Sequence, residues 1–373
     1  MSWKACRLGD VMTLKRGHDL PEHSRQEGDV PVVSSSGITG WHKEAKATAP
    51  GVVTGRYGTI GEVYFLQEDF WPLNTALYVI DFKGNDPRFA SYFLRNVLKG
   101  YQSEKAAIPG VDRNVLHEIE VHLPSLSEQL RITEILSTYD DLIENNRRRM
   151  ALLEDSARQL YREWFVRLRF PGHEHTPIVD GVPLGWVRKT LSEVSNINQR
   201  NVANGFDGEI EYIDIASVTR NSVDSTTTYE FRDAPGRARR IVSHGDIIWS
   251  CVRPNRRSHA VIWQPAENLI ASTGFVVLSP KTLPTSFLYQ AVTTDAFVGY
   301  LENHAKGAAY PAVVSGDFER AMILVPSSAL VTAFDDFAGA LLWQTHNLQL
   351  QNQKLRQARD LLLPRLMNGE LTI

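Results

Sequence analysis

Apolar residues recur at three- and four-residue steps through two long stretches of this chain. The first, LIENNRRRMALLEDSARQLYREWFVRL, runs over residues 142–168 without glycine or proline, although the chain holds 25 Gly and 18 Pro. The second, LLWQTHNLQLQNQKLRQARDLLLPRLMNGEL, lacks glycine until Gly369 and sets Leu341, Leu348, Leu355 and Leu362 seven residues apart. A shift of 202 carries those leucines onto Tyr139, Asn146, Leu153 and Leu160, and Ile143, Met150, Ala157 and Trp164 complete the first stripe.

A seven-residue apolar repeat keeps one face of a helix turned toward a neighbour, and the natural neighbour is the other copy. The pattern predicts an antiparallel helix pair, with polar Asn146 and Asn352 in the seam fixing its register. Residues 125–168 would form a rod of about 60 Å if fully helical. The alternative is that both helices are buried core of a globular domain. Polar outer faces and the shared register weigh against it.

The repeat extends upstream. IPGVDRNVLHEIEVHLPS at 108–125 matches YPAVVSGDFERAMILVPS at 310–327, and WKACRLGDV at Trp3 resembles WVRKTLSEV at Trp186 with a shift of 183. About nineteen extra residues therefore lie in the second globular part. The organisation reads as a globular part (1–124), a helix (125–169), a Gly/Pro-rich linker (170–185), a second globular part (186–326) and a second helix (327–373). Strands are expected in VPVVSSSG, GVVTGRYGTIGEVYF, TALYVIDF, EYIDIASV, GDIIWSCV and TGFVVLSP, and short helices near 88–99 and 284–299. The fold class is mixed α/β with a largely antiparallel sheet in each half.

With 43% hydrophobic and 22% charged residues, the composition is that of an ordinary globular protein. The start of the chain lacks a signal-peptide pattern, and no apolar run reaches membrane-span length, so a cytoplasmic protein is expected. Cys6 and Cys251 have no metal-ligand spacing, which predicts two ordinary reduced thiols. No phosphate loop, dinucleotide fingerprint, HExxH, CxxC or adenine-methyltransferase tetrapeptide is present, so no catalytic residue and no metal ligand is assigned. A self-sufficient DNA methyltransferase or nuclease would need such a motif. Glu44 and Asp335–Asp336 read as solvated surface.

A net charge of −3 argues against a stand-alone nucleic-acid binder, yet charge concentrates locally. Residues 232–257 hold seven arginines against two aspartates. Arginine offers a planar fork for phosphate or for the O6 and N7 edge of guanine. In CVRPNRRSH, Pro254 and Asn255 make a turn expected to push Arg253, Arg256 and Arg257 outward. The matching place in the first half is GRYGTIG, with Arg56 and Tyr57 at its tip. The candidate DNA-contacting set is Ser35, Ser36, Arg56, Tyr57, Thr59, Asn74 and Thr75 in the first half. In the second it is Arg239, Arg240, Arg253, Asn255, Arg256, Arg257, Thr273, Lys306 and Tyr310. For any one cluster a solvated arginine face is the alternative; two clusters at corresponding places favour DNA. Arg147–Arg149 belong on the outer helix face.

The central region LPSLSEQLRITEILSTYDDLIENNRRRMALLEDSARQLYREWF, the distal NQKLRQARDLLLPRLMNGEL, and GRYGTIG and GDIIWSCVRPNRRSHAVI in the variable halves together resemble the specificity subunit of Type I restriction-modification systems. The resemblance implies two target-recognition domains held apart by an antiparallel helical coiled coil, each reading half of a split double-stranded DNA site. It further implies methyltransferase subunits bringing S-adenosylmethionine, and ATP- and magnesium-dependent restriction subunits, with no cofactor in this chain. A coiled-coil adaptor without DNA binding is the remaining alternative. One departure from the repeat is noted: Ala329–Leu330 in place of Glu128–Gln129.

Overall fold

A computed structural model describes residues 3–56, 61–104, 111–203, 205–307 and 309–371. The chain forms two compact units, one built from 1–145 with 351–373 and the other from 146–350. Tyr57 and Thr59 lie outside the described residues.

In the first unit the strands are β1 (Lys4–Arg7), β2 (Thr13–Arg16), β3 (Val30–Ser34), β4 (Gly37–His42), β5 (Gly51–Gly55), β6 (Val63–Leu66), β7 (Trp71–Pro72), β8 (Ala76–Asp81) and β9 (Glu120–Leu123). An antiparallel sheet has the order β2-β8-β5-β6, a second sheet the order β4-β3-β7 with β3 and β7 parallel, and β1 pairs with β9. Helices α1 (Leu8–Val11), α2 (Pro87–Glu104) and α3 (Arg113–His117) precede α4 (Leu126–Tyr161). Asp86 caps α2 through the Phe89 N–H at 2.7 Å, ahead of Pro87, whose missing N–H costs nothing in a first turn. Ser125 opens α4 with a reciprocal box: Glu128 N–H donates to Ser125 Oγ, and Ser125 N–H to Glu128 Oε2 at 3.1 Å.

The core of this unit joins Leu8, Met12, Leu77, Phe89 and Phe93 to Ile132 and Leu136 of α4 and to Leu363, Leu366 and Met367 of the distal helix Ser328–Met367. Further along, Arg359 donates to Asp140 and Asn352 donates to the Ile143 carbonyl. Partners fall in number as α4 advances, so the two helices run antiparallel here.

The second unit opens with the short hairpin β10 (Ile178–Val179) and β11 (Val182–Pro183), then β12 (Val187–Thr190) and α5 (Leu191–Val194). There follow β13 (Ser195–Ile197), β14 (Glu209–Ile213), β15 (Val218–Thr219), β16 (Ser222–Val223), β17 (Thr227–Glu230), β18 (Ala238–Ile241), β19 (Ile247–Ser250), β20 (His259–Val261), β21 (Leu269–Ser272) and β22 (Phe275–Pro280). Helices α6 (Thr285–Thr293), α7 (Asp295–His304) and α8 (Ser315–Arg320) precede β23 (Met322–Val325), and α9 is the distal helix Ser328–Met367. The sheet β13-β22-β19-β20 repeats β2-β8-β5-β6 strand for strand, β12 with β23 repeats β1 with β9, and β14 parallel to β21 repeats β3 with β7. The extra length enters at two places. Where two residues join β3 to β4, thirteen lie between β14 and β17, including the β15–β16 hairpin. Where eight lie between β4 and β5, sixteen lie between β17 and β19, including β18.

Tyr161 and Phe165 pack on Phe287 and Phe334 in the core of this unit, with ring centroids 5.0–5.7 Å apart. Here too α4 and α9 lie side by side. The α-helix expected to reach residue 168 stops at Tyr161, continues as a π-helical turn over Arg162–Val166, and ends at Leu168 with φ of 59°. The helix expected at 284–299 is broken at Thr294, whose hydroxyl caps α7 through the Phe297 N–H.

Among the stripe positions, Ile143, Asn146, Ala157 and Leu348 are buried, while Met150, Leu153, Leu160, Trp164, Leu341, Leu355 and Leu362 are half-buried. A second seven-residue row on α9 comprises Ala338, Thr345, Asn352, Arg359 and Leu366, buried but for half-buried Arg359, and of these the sequence reading placed only Asn352 in the seam. The repeat alignment at the helix starts also needs correction. Gln129 N–H donates to the Ser125 carbonyl and Val331 N–H to that of Ser327. Leu330–Val331, not Ala329–Leu330, therefore stand opposite Glu128–Gln129. Gln129 is buried and bonds Asn85 and the Pro124 carbonyl, a polar lock that a valine cannot form.

Candidate nucleic-acid interface

In the second unit, the segment after β19 leaves the sheet into a tight loop. Arg253 and Arg257, with φ of 51° and 54°, bracket a single 3-10 turn formed by Pro254, Asn255 and Arg256. Left-handed backbone at non-glycine residues is unfavourable and persists where surrounding contacts fix it. Those contacts are visible. Arg253 N–H donates to the Pro311 carbonyl at 2.7 Å, its Nη2 donates to the Ala309 carbonyl at 3.2 Å, and its guanidinium lies 4.6 Å from the centre of the Tyr310 ring. Lys306 and Ala312 exchange two backbone bonds beneath, each 2.9 Å, which sets Tyr310 on a short reversed loop.

The outward push expected of the whole trio applies to one member. Asn255 and Arg256 are exposed, whereas Arg253 lies over the exposed Tyr310 ring and Arg257 turns to Asp295. Such a guanidinium keeps its donors in a fixed plane, which suits a directional contact better than a free side chain does.

Thr273 is brought to the same end of the sheet. Its N–H donates to the Arg237 carbonyl at 2.8 Å, and Cys251 N–H donates to the carbonyl of Gly274 beside it at 2.8 Å. Arg239 lies 4.7 Å from the Phe231 ring centre and its Nη1 donates to the Ala238 carbonyl. Arg240 is tucked in, with Nη1 donating to Asn201 at 2.9 Å and burial lowering its pKa below the usual arginine value. Strand β18, found in this unit only among the described residues, carries both.

The first unit presents the corresponding positions with different chemistry. Arg56 N–H donates to the Thr75 carbonyl at 3.0 Å and Val111 N–H to that of Arg56 at 2.9 Å; in the second unit Cys251 stands in that bond pattern between Gly274 and Val313. Arg56 therefore corresponds to Cys251, and Asn74 to Thr273. Asn74 donates from Nδ2 to Asp19, and its carbonyl accepts from Arg16 Nε at 3.3 Å. Thr75 Oγ1 is buried without a partner among the described residues. Ser35 and Ser36 form the two-residue turn between β3 and β4, with Ser36 Oγ 3.0 Å from Ser34 Oγ. Beyond that turn, Ile38 and Trp41 are each 52% exposed, and Arg25 holds the hairpin by donating to the Thr39 carbonyl at 2.8 Å. Sequence reasoning missed this pair. Ile38 and Trp41 stand three apart, so no strand alternation marks them; the available signal was two large apolar residues in a run otherwise of Gly, Thr and His.

No group of three or more His, Cys, Asp or Glu capable of holding a metal ion occurs among the described residues. Cys6 and Cys251 are free thiols, and burial raises the pKa of both. No helix among the described residues is long and apolar enough to cross a membrane.

The model of the Type I restriction modification DNA specificity domain matches residues 1–155. The Type I restriction enzyme MjaIX specificity subunit of Methanocaldococcus jannaschii is 23% identical over 295 residues, covering 76% of this chain and 66% of that protein's own length. Residues 1–155 thus match the Type I specificity domain. The HindI specificity subunit of Haemophilus influenzae is 21% identical over 337 residues, covering 72% of this chain and 73% of that protein. A crystal structure of the Type I S subunit from M. genitalium aligns over 98% of this chain and 96% of its own, with a TM-score of 0.59 at 16% identity, and so shows the shared fold. The shared fold suits the duplicated sheet order and the helix that follows each copy. The two units present candidate surfaces at the same end of equivalent sheets, stocked with unlike side chains.

Proposed function

We propose that this chain is the DNA-recognition subunit of a Type I restriction-modification complex and is itself non-catalytic. Each globular unit reads one half of an asymmetric, bipartite double-stranded site, and the antiparallel coiled coil of α4 and α9 fixes the gap. The observation that carries this reading is the strand-for-strand repetition of β2-β8-β5-β6 in β13-β22-β19-β20, each with a loop of polar and cationic residues at the corresponding end. A duplicated reader with diverged loops calls for two unlike half-sites. In this reading Arg253 with Tyr310, Arg256, Asn255, Arg239, Lys306 and Thr273 face one half-site, and Arg56, Asn74, Thr75, Ser35 and Ser36 the other. Methyltransferase subunits bring S-adenosylmethionine, and restriction subunits bring the ATP- and magnesium-dependent chemistry. A target base must leave the stack to reach a partner's pocket, and this chain contributes by gripping the flanking duplex.

The test is co-purification with the neighbouring methyltransferase, followed by mapping of methylated adenines across a genome. Two unlike half-motifs separated by a constant gap are expected. A contiguous palindrome, or modification independent of this chain, contradicts the reading.

A further inference from the structure

The second unit contains a cleft of about 1190 Å³ on a face formed by the end of α4, the π-helical turn, α6–α7 and β23. That volume exceeds the range of roughly 300–1,000 Å³ usual for small-molecule sites. Six arginines line it: Arg158, Arg162, Arg167, Arg220, Arg257 and Arg320. Its carboxylates are three, Asp155, Glu163 and Asp295. Each carboxylate is already engaged. Arg158 pairs with Asp155 at 3.0 Å, Arg167 with Glu163, and Arg257 with Asp295, while Arg320 pairs with Asp317 at 2.8 Å. Arg162 and Arg220 are exposed and make no ion pair among the described residues. The cleft therefore carries surplus positive charge.

Its surface is also apolar. Val166 is 57% exposed and Met322 is 52% exposed, beside Ala291 and Phe297 in the same lining. A duplex backbone gains nothing from exposed methionine and valine. A protein segment gains from both features, because apolar burial supplies affinity and rim charge supplies orientation.

We infer that this cleft is a docking site for an acidic, amphipathic segment of a partner protein, its apolar side chain seated on Met322 and Val166 and its carboxylates facing Arg162 and Arg220. The inference rests on the reading of this chain as one subunit of an assembly. The π-helical turn serves the site directly, since the turn begins at Arg162 and brings Glu163 and Val166 into the same wall.

The test uses the full chain with p-benzoylphenylalanine at position 322, assembled with the purified methyltransferase and restriction subunits, with and without a duplex carrying the mapped site. After irradiation, the expected cross-link is to a protein segment holding at least two carboxylates within a helical turn of an apolar residue. Combining Arg162→Glu with Arg220→Glu is expected to lower its yield at least tenfold, with duplex binding and the melting temperature unchanged. Cross-linking to DNA, a yield indifferent to charge reversal, or no protein cross-link in an assembly that still methylates would each overturn the docking site while leaving the recognition role intact. Failure to assemble with either protein would overturn both.

Discussion

Asn352 donates from Nδ2 to the main-chain carbonyl of Ile143 at 3.3 Å, joining residues 209 apart in sequence across the two long helices of the first unit. Asn352 is 2% exposed and Ile143 is 4% exposed. An amide buried between helices specifies one register, because a slip removes its partner and leaves a desolvated donor. Replacing Asn352 with alanine removes the bond and opens a small void. It is expected to lower unfolding free energy by about 1–3 kcal/mol. Urea denaturation measures this as a lower midpoint at constant slope. A change under about 0.5 kcal/mol, the scale of a surface substitution, would show that the amide does not hold the pair together.

Arg253 on Tyr310 makes a second prediction, about recognition and not stability. Lysine keeps the charge but loses the planar fork that lies over Tyr310, so Arg253→Lys is expected to reduce discrimination at one base pair of the second unit's half-site by about 1–3 kcal/mol. Arg256→Ala, at an exposed unstacked side chain, is expected to weaken all duplexes alike and flatten the salt dependence. Binding titrations against single-base variants at two salt concentrations separate the two outcomes. Equal loss across all sequences for Arg253→Lys would place it on phosphate.

His259 supplies a pH prediction. The ring is 1% exposed between Trp249 and Tyr289, neither nitrogen has a hydrogen-bond partner among the described residues, and its pKa is lowered from 6.5 to about 3 by burial, then by Arg220 and Arg257. A depressed folded pKa means that the unfolded chain takes up this proton and the folded chain does not. Stability from this group is therefore complete above pH 6.5 and lost progressively down to about pH 3. Between pH 7 and pH 5.5 the loss is about 1.3 kcal/mol. In His259→Phe, which keeps a planar ring and cannot titrate, the pH dependence over that interval is expected to shrink by that amount. Identical slopes in the two proteins would show that the ring is not held neutral.

The six strand-bearing stretches were legible because each is a short run rich in β-branched and aromatic residues between turn residues, and the structure places strands in all six. The long helices were legible from their leucine row. Their second row was legible only at Asn352, since Thr345 and Arg359 read as outer-face residues in a hydropathy pattern; only the facing helix reveals that they point inward. Residue 168 looked helical by composition, but Leu168 closes the helix through backbone geometry that composition does not record. At the candidate interface the sequence located the Pro254–Asn255 turn. The directions of its arginines depend on Asp295, 38 residues further on, and on the loop carrying Tyr310, and such long-range partners leave no local trace. Arg220 and Arg162, separated by 58 positions, share a cleft that no motif announces.

The central claim is that a paired helical strut inside a duplicated reader sets the gap in the recognised sequence. Inserting one heptad of the helix pattern between Asn146 and Arg147, and another between Leu348 and Gln349, preserves the seam and lengthens the pair by about 10 Å. Methylated-adenine mapping of cells carrying the lengthened chain tests the claim directly. Both half-motifs are expected unchanged with a gap longer by about three base pairs, on a spacing of 3.4 Å per pair. An unaltered gap in a chain that still methylates would contradict the account.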